Sequence, residues 1–123
     1  ALTARVIKAI EHPAASVLAH PTGRLLLERD GYRINLEEVV AAAASNNVAL
    51  ELNTHPARFD LDWRWLNRAK EAGCKVAVNT DAHRISDLDS LELGTGIARK
   101  GWLTPDDVIN TMTVDELLAW VRG

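Results

Sequence analysis

The chain has 123 residues, of which 47% are apolar and 25% are charged. This length and apolar content suffice for one small domain with a single hydrophobic core, but not for two such domains. The formal net charge of −3 argues against a protein that binds nucleic acid mainly through bulk positive charge, although it leaves room for a cleft with a few local arginines.

Cysteine and methionine usage add two expectations about the origin of the chain. The single cysteine, Cys74, cannot form an internal disulfide, which favours a reducing, cytoplasmic origin. The only methionine is Met112, and helical spacing already begins at Leu2, so we expect a piece of a longer polypeptide. No apolar run approaches membrane-spanning length, so we expect no membrane partner.

The predicted elements alternate between helices and short apolar strands. In chain order, hydrophobic spacing predicts a helix over 2–10, a strand over 16–19, a helix over 35–46, a strand over 48–52, a helix over 62–72, a strand over 75–79, a weaker helix over 86–93 that ends before Gly94 and Gly96, and a helix over 113–121. Strand–helix alternation with short loops predicts an α/β fold with a parallel sheet.

Residues at the predicted helix ends support these boundaries. Asn35 with Glu38, and Thr113 with Glu116, have the spacing of N-terminal capping pairs, and Asp62 is a third N-cap. Gly73 suits the left-handed position that follows a helix. Trp63, like Leu66 and Ala69, is expected on the inward face of its helix, and the four tryptophans are interpreted as packing residues.

Polar side chains follow each predicted strand directly. Asp81 and His83 stand two residues apart after the third strand, and His20 follows the first. In an extended segment, residues i and i+2 point the same way, so Asp81 and His83 can reach one metal ion. Ligands of parallel sheets bind beyond the carboxyl ends of the strands, where Asn53 also lies. The sequence therefore predicts a metal site at this edge.

These residues also have ordinary structural interpretations. His20, which precedes a proline, could simply end a strand, and Asn53 could form a turn. Arg24 has the fork geometry that suits phosphate oxygens, but it could equally be a solvated loop residue. Glu51, within the second strand, could orient a ligand or pair with a buried arginine.

Four ordered motifs carry a family resemblance that runs nearly from end to end. The motifs are Ala19-His20-Pro21-Thr22-Gly23-Arg24, Leu50-Glu51-Leu52-Asn53, Asn79-Thr80-Asp81-Ala82-His83 and the stretch from Gly94 through Gly96 and Trp102 to Pro105. They resemble the PHP (polymerase and histidinol phosphatase) domain, and most closely the PHP domain of bacterial family X DNA polymerases.

The resemblance implies a fold, a cofactor and an activity. The fold would be the carboxyl-terminal portion of a distorted (β/α)7 TIM-like barrel, with about three parallel strands and flanking helices. Residues 1–123 would form one partial PHP domain without its amino-terminal half. The parent would be a metal-dependent phosphodiester hydrolase with zinc or manganese as cofactor. It would act as a 3′–5′ exonuclease in DNA repair, alongside a DNA polymerase.

The same resemblance assigns roles to individual residues. His20, Asp81 and His83 match metal ligands of the family, and Arg24 would approach the substrate phosphate. Asn53 and Glu51 would support the ligands, and no catalytic residue separate from them is expected. The family's earlier histidine and glutamate ligands have no counterpart in this chain.

Two alternatives to the exonuclease function stay open. The domain could instead be a phosphatase of a small phosphate ester such as histidinol phosphate, or a non-catalytic structural fragment. The parent's partner would be DNA, and the fragment's partner the remaining part of the PHP barrel. Both outer strands of the sheet would have open edges, so the chain is expected either to self-associate or to be one part of a nicked, still-assembled domain. Because it holds only part of the family's ligand set, the chain alone is expected to be inactive.

Overall fold

Three parallel strands, in the order β1-β2-β3, form the sheet of this chain. The computed structural model describes residues 1–123, apart from the side chain of Arg122. The elements are α1 Leu2–Ile10, β1 Val17–Leu18, α2 Leu36–Ser45, β2 Ala49–Asn53, α3 Trp63–Glu71, β3 Val76–Asn79, a 3-10 helix Ile85–Ser90, α4 Leu91–Lys100, two short 3-10 turns Pro105–Asp107 and Ile109–Thr111, and α5 Val114–Arg122. The α/β class, the parallel sheet and the flanking helices are confirmed.

The central strand β2 lies in the middle of the core. All of its residues are buried, and it pairs with both neighbours, so that Leu50 lies beside Leu18 and Val76. The core is built from the strands and from the inner faces of α2 and α3, and it includes Val39, Val40, Ala43, Leu50, Leu52, Leu61, Leu66, Ala69, Val76 and Val78. A strand that is covered on both faces lacks the alternating pattern of a half-exposed one, as the apolar run in the sequence indicates.

The predicted helix starts are confirmed by hydrogen bonds. The Asn35 side chain accepts from the backbone N–H of Glu38 at 3.3 Å, and Asp62 accepts from that of Arg64 at 2.8 Å. In α5, Thr113 and Glu116 cap each other, with distances of 2.8 and 3.2 Å. These bonds satisfy N–H groups that have no partner within the helix.

The weak helix predicted over 86–93 is wrong in position. A 3-10 helix covers Ile85–Ser90, and α4 then continues through both glycines to Lys100. Gly94 does not end a helix; it is buried against Thr54, and a Cβ atom there would lie 2.0 Å from Thr54 Cγ2. The glycine is needed for close packing, a tertiary cause that the local pattern does not reveal.

The inward assignment of Trp63 is also wrong. Its side chain is 38% exposed and lies under the Lys100 ammonium, which is 5.0 Å from the ring centroid. Trp65 packs against the core instead.

The outer edge of β3 is not open. The side-chain amide of Asn110 donates to the Val78 carbonyl and accepts from the Val78 N–H, both at 2.7 Å, as a neighbouring strand would. Val108 forms an isolated parallel bridge with Val76. The expectation of two open edges therefore fails at β3, because a segment distant in sequence lies along it. None of the described helices is both long enough and apolar enough to cross a membrane.

Candidate functional site

The carboxyl ends of the three strands lie along one edge of the sheet. Because the strands are parallel and in register, Asn53 at the end of β2 stands beside Asn79 at the end of β3. His20 lies just after β1, and Asp81 just after β3. The predicted site residues thus occupy neighbouring positions on one edge, which we call the rim.

Asp81 is held by two side chains, one from the last residue of β2 and one from the loop that follows β2. Its Oδ2 accepts from Asn53 Nδ2 at 3.1 Å and lies 3.4 Å from Arg58 Nε. The carboxylate is about one-third exposed, so it keeps a face toward solvent. The φ angle of 52° places Asp81 in the left-handed region, which aspartate tolerates better than most residues. Its position is therefore set by contacts as well as by the backbone.

His83 is the most exposed of the predicted ligands, with 78% of its side chain accessible. Its Nδ1 lies 2.7 Å from the Asp81 carbonyl oxygen, and its backbone N–H donates to Asp87 Oδ2 at 3.0 Å. In the neutral ring, a proton on Nδ1 donated to that carbonyl leaves the Nε2 lone pair available to a ligand. The contact therefore selects a tautomer suited to metal binding.

His20 is half-buried and its backbone has a φ angle of 29°. Its N–H donates to Glu51 Oε2 at 2.8 Å. Glu51 points from the centre of β2 and is only 5% exposed. The strand therefore fixes the backbone of His20 through a buried carboxylate.

The environment of Glu51 perturbs its ionisation. Burial raises the pKa of the Glu51 carboxyl above its ordinary value of 4.5, and the negative charge of Asp81 adds to the rise. The His20 N–H and the Asn79 side chain oppose this rise without cancelling it. Glu51 thus contacts the backbone of His20 and not its imidazole, and its role as a support for the metal ligands stays a prediction.

Arg24 uses its guanidinium within the protein. Its Nε donates to the Arg58 carbonyl at 2.8 Å, and its Nη2 donates to the Phe59 carbonyl. Arg58 Nη1 in turn donates to the Arg24 carbonyl at 3.3 Å. These bonds tie the loop after β1 to the loop after β2. The role of Arg24 toward a phosphate stays a prediction, and the structure gives this side chain a bridging role.

The predicted metal ligands are only partly brought together. Asp81 and His83 are adjacent, with Asp81 Oδ1 3.9 Å from His83 Nδ1, whereas His20 contacts Glu51. Among the described residues, no three His, Cys, Asp or Glu side chains converge closely enough to hold a metal ion. The donor types suit zinc or manganese, but this chain does not assemble a complete ligand set. The ligand assignment stays a prediction.

Two rim residues were missed by the sequence analysis, Arg58 and Asp60. Arg58 is the cation beside Asp81, and the fully buried Asp60 carboxylate accepts hydrogen bonds from the loop that carries His20. A usable signal was present, because both charged residues lie in the loop directly after a rim strand. Spacing alone could not show that the loop folds back over β2.

Cys74 is not a candidate nucleophile. It is buried, and burial raises the pKa of its thiol to about 11. At neutral pH the group is therefore an uncharged thiol, which is a poor nucleophile.

This chain belongs to the class of α/β domains with a parallel sheet. It carries histidine and carboxylate side chains at the carboxyl edge of that sheet. No family model matches the chain. It is 39% identical over 118 residues to the DNA polymerase/3′-5′ exonuclease PolX of Bacillus subtilis (strain 168), a match that covers 96% of the chain and 21% of that relative. The match lies in the carboxyl-terminal part of the polymerase.

Probable phosphatases are also similar to this chain. One from Thermoanaerobacter sp. (strain X514) is 28% identical over 115 residues, covering 89% of the chain and 44% of the relative. Another, from Aliivibrio fischeri (strain ATCC 700601 / ES114), is 31% identical over 114 residues, covering 84% and 46%. The chain spans about a fifth of the polymerase and less than half of each phosphatase. These matches confirm the resemblance to the PHP domain of family X DNA polymerases.

Proposed function

We propose that this chain is part of a metal-dependent phosphoesterase domain that processes DNA ends by 3′–5′ exonuclease action within a family X DNA polymerase. The observation that carries the proposal is the 39% identity to a polymerase/3′-5′ exonuclease over 96% of the chain. The arrangement of Asp81 and His83 on the rim supports it, since a carboxylate and an imidazole are the donors that such hydrolysis needs.

We propose His20, Asp81 and His83 as this chain's share of the ligands for zinc or manganese. The donor types fit, but the described residues do not converge as a complete set. The remaining part of a PHP barrel would supply the other donors. A divalent metal, when bound, lowers the pKa of a water ligand and neutralises charge on phosphoryl oxygens.

The chain's own residues would orient the ligands. Asn53 and Arg58 hold the Asp81 carboxylate, and the Asp81 carbonyl selects the His83 tautomer with a free Nε2. Residues that position metal ligands typically matter almost as much as the ligands themselves.

The similarity to probable phosphatases supports a second candidate, hydrolysis of a small phosphate ester. The two candidates differ in the leaving group and in the length of the substrate. Assays of the protein that carries this sequence, with a 3′-labelled oligonucleotide and with a phosphomonoester, both in Mn²⁺, separate them. Faster turnover of the oligonucleotide supports the exonuclease.

The first prediction tests the role of Asp81. In the protein that carries this sequence, Asp81→Asn keeps the shape of the side chain but removes its charge. Mn²⁺-stimulated hydrolysis should fall by about 100-fold or more, because a neutral amide is a poor ligand for a divalent ion. Asp115→Asn, on the exposed first turn of α5, is the control and should leave the rate unchanged.

Two outcomes would decide against the assignment. The double variant Asp81→Asn, His83→Ala could retain a rate within about tenfold of the wild type. That result would show that neither residue takes part in the reaction. A full-length protein that shows no hydrolysis of either substrate would favour the structural interpretation of the domain.

A further inference from the structure

The Asp60 carboxylate is an unusual feature of this rim, because it is fully buried, at 0% exposure. Its oxygens accept from the backbone N–H of Thr22, at 3.2 Å to Oδ1 and 3.0 Å to Oδ2, and from that of Gly23, at 3.0 Å to Oδ2. A carboxylate is costly to bury unless hydrogen bonds replace its hydration, and here backbone N–H groups do so. The Thr22 and Gly23 N–H groups must therefore stay close to this carboxylate.

The backbone of Asp60 is anchored to the end of β2. Its N–H donates to the Asn53 carbonyl at 3.1 Å, and the Asn53 N–H donates to the Asp60 carbonyl at 2.5 Å. The next residue, Leu61, is a fully buried core residue whose N–H donates to the Glu51 carbonyl at 3.2 Å. The carboxylate is thus a fixed point on the central strand.

The loop that Asp60 holds is a tight turn beginning at His20. The Gly23 N–H donates to the His20 carbonyl at 2.9 Å as well as to Asp60, and Gly23 has a φ angle of 63°. A Cβ atom at Gly23 would lie 2.2 Å from the Tyr32 ring, so the position needs glycine. The turn is closed on itself and covered by an aromatic ring.

Two carboxylates, one in β2 and one in the loop that follows it, hold the two ends of this turn. Glu51 accepts from the N–H of His20, and Asp60 accepts from those of Thr22 and Gly23. His20 itself has a positive φ angle of 29°, which costs a non-glycine residue free energy. Such a conformation persists only where the surroundings impose it, and these two carboxylates impose it.

We infer that Asp60 is a positioning residue, which sets the direction of the His20 imidazole by holding the Thr22 and Gly23 N–H groups against the end of β2. Asp60 acts through the backbone of the turn and touches no reacting group. The consequence for metal binding rests on the proposed function, whereas the consequence for the conformation of His20 does not.

Amide hydrogen exchange tests the conformational part, first in the wild type. The Thr22 and Gly23 amides lie in a loop but should exchange at least about tenfold more slowly than an unstructured peptide, because each donates to a charged acceptor. The amide of Leu27, a residue whose side chain is fully exposed in the same loop, serves as the reference. Exchange of Thr22 and Gly23 at unprotected rates would overturn the inference.

Asp60→Asn then removes the charge with little change in volume. Protection of both amides should fall by about tenfold or more, and the ring ¹H–¹⁵N signals of His20 should shift. Asp62→Asn is the matched control: Asp62 also accepts a backbone N–H, that of Arg64, but it caps α3. The control should leave the Thr22, Gly23 and His20 signals unchanged. A folded Asp60→Asn protein with unchanged His20 signals would also overturn the inference.

A double-mutant cycle with Co²⁺ alone as the probe tests the link to metal binding, in the protein that carries this sequence. Asp60→Asn should weaken Co²⁺ binding by about tenfold when His20 is present, and should have no further effect in a His20→Ala background. An equal loss in both backgrounds would show that Asp60 does not act through His20. If His20→Ala itself leaves Co²⁺ affinity unchanged, the proposed ligand role of His20 fails, and the exchange data still decide the role of Asp60.

Discussion

At the scale of single residues, Glu51 is a buried carboxyl group that accepts a hydrogen bond from the backbone N–H of His20. Its pKa is raised mainly by burial, so the folded state binds its proton more tightly than the unfolded state does. Stability contributed by such a group is present below the unfolded pKa, near 4.5, and is lost as pH rises through the higher folded pKa. Ionised Glu51 is therefore a destabilising element at neutral pH.

Glu51→Gln tests this sign. The glutamine carbonyl can still accept from the His20 N–H, but it does not ionise. The difference in free energy of unfolding, variant minus wild type, should increase as pH rises from about 4.5 and level off once wild-type Glu51 is ionised. Urea unfolding at several pH values measures it, and Glu71→Gln, an exposed carboxyl on α3, controls for the lost charge. A difference that decreases with rising pH would contradict the burial argument.

At the scale of elements, α4 shows how one helix uses two glycines differently. Gly94 is buried against Thr54, where an added Cβ would lie 2.0 Å from Cγ2, whereas nothing lies within 4 Å of a Cβ at Gly96. Helical glycines otherwise cost stability, because they lose more backbone freedom on folding than alanine does. The two positions therefore form a natural pair for comparison.

Alanine substitutions at the two positions should have opposite effects. Gly94→Ala forces α4 away from the end of β2 and should destabilise the chain by about 1–3 kcal/mol. Gly96→Ala should stabilise it by about 0.5–1 kcal/mol. Thermal or urea unfolding of both variants measures the effects. If both variants are stabilised, α4 does not pack against Thr54 as described.

At the scale of the whole molecule, several large apolar side chains are exposed, and three of them follow β3 closely in sequence. Ile85, Leu88 and Leu91 are all exposed and stand three residues apart, so they share one side of the 3-10 helix and the start of α4. The β3 edge is occupied by Val108 and Asn110 and is closed to pairing with another chain, whereas these three side chains are exposed. Contiguous apolar patches of this kind favour contact with another chain.

Self-association of the chain is the corresponding prediction. Sedimentation should show oligomers whose fraction grows with concentration, because association buries Ile85 and Leu88. Leu88→Lys should reduce the fraction. Leu27→Lys changes a leucine that is more exposed than Leu88 but lies in the loop after β1, and it should have no effect. A monomer at all concentrations would show that the exposed apolar side chains do not drive contact.

Local signals in the sequence were sufficient to predict the strands, most helices and the order of site residues. Capping pairs such as Thr113 with Glu116 act within one helical turn, so the helix start can be predicted from their spacing alone. The apolar runs indicate buried strands, and strand–helix alternation then places His20, Asn53 and Asp81 on one edge. The family resemblance was carried by the same short motifs.

Contacts between distant segments decided the rest. The course of α4 depends on Thr54, the closure of the β3 edge depends on Asn110, and the turn at His20 depends on Asp60, 38 residues beyond Thr22. Arg24 faces backbone carbonyls because the loop after β2 folds back toward it. Local periodicity was therefore enough to predict the strands, most of the helices and the rim, but not the course of α4. Which rim groups support one another depends on contacts between distant segments, because buried polar groups must find partners wherever the fold brings them.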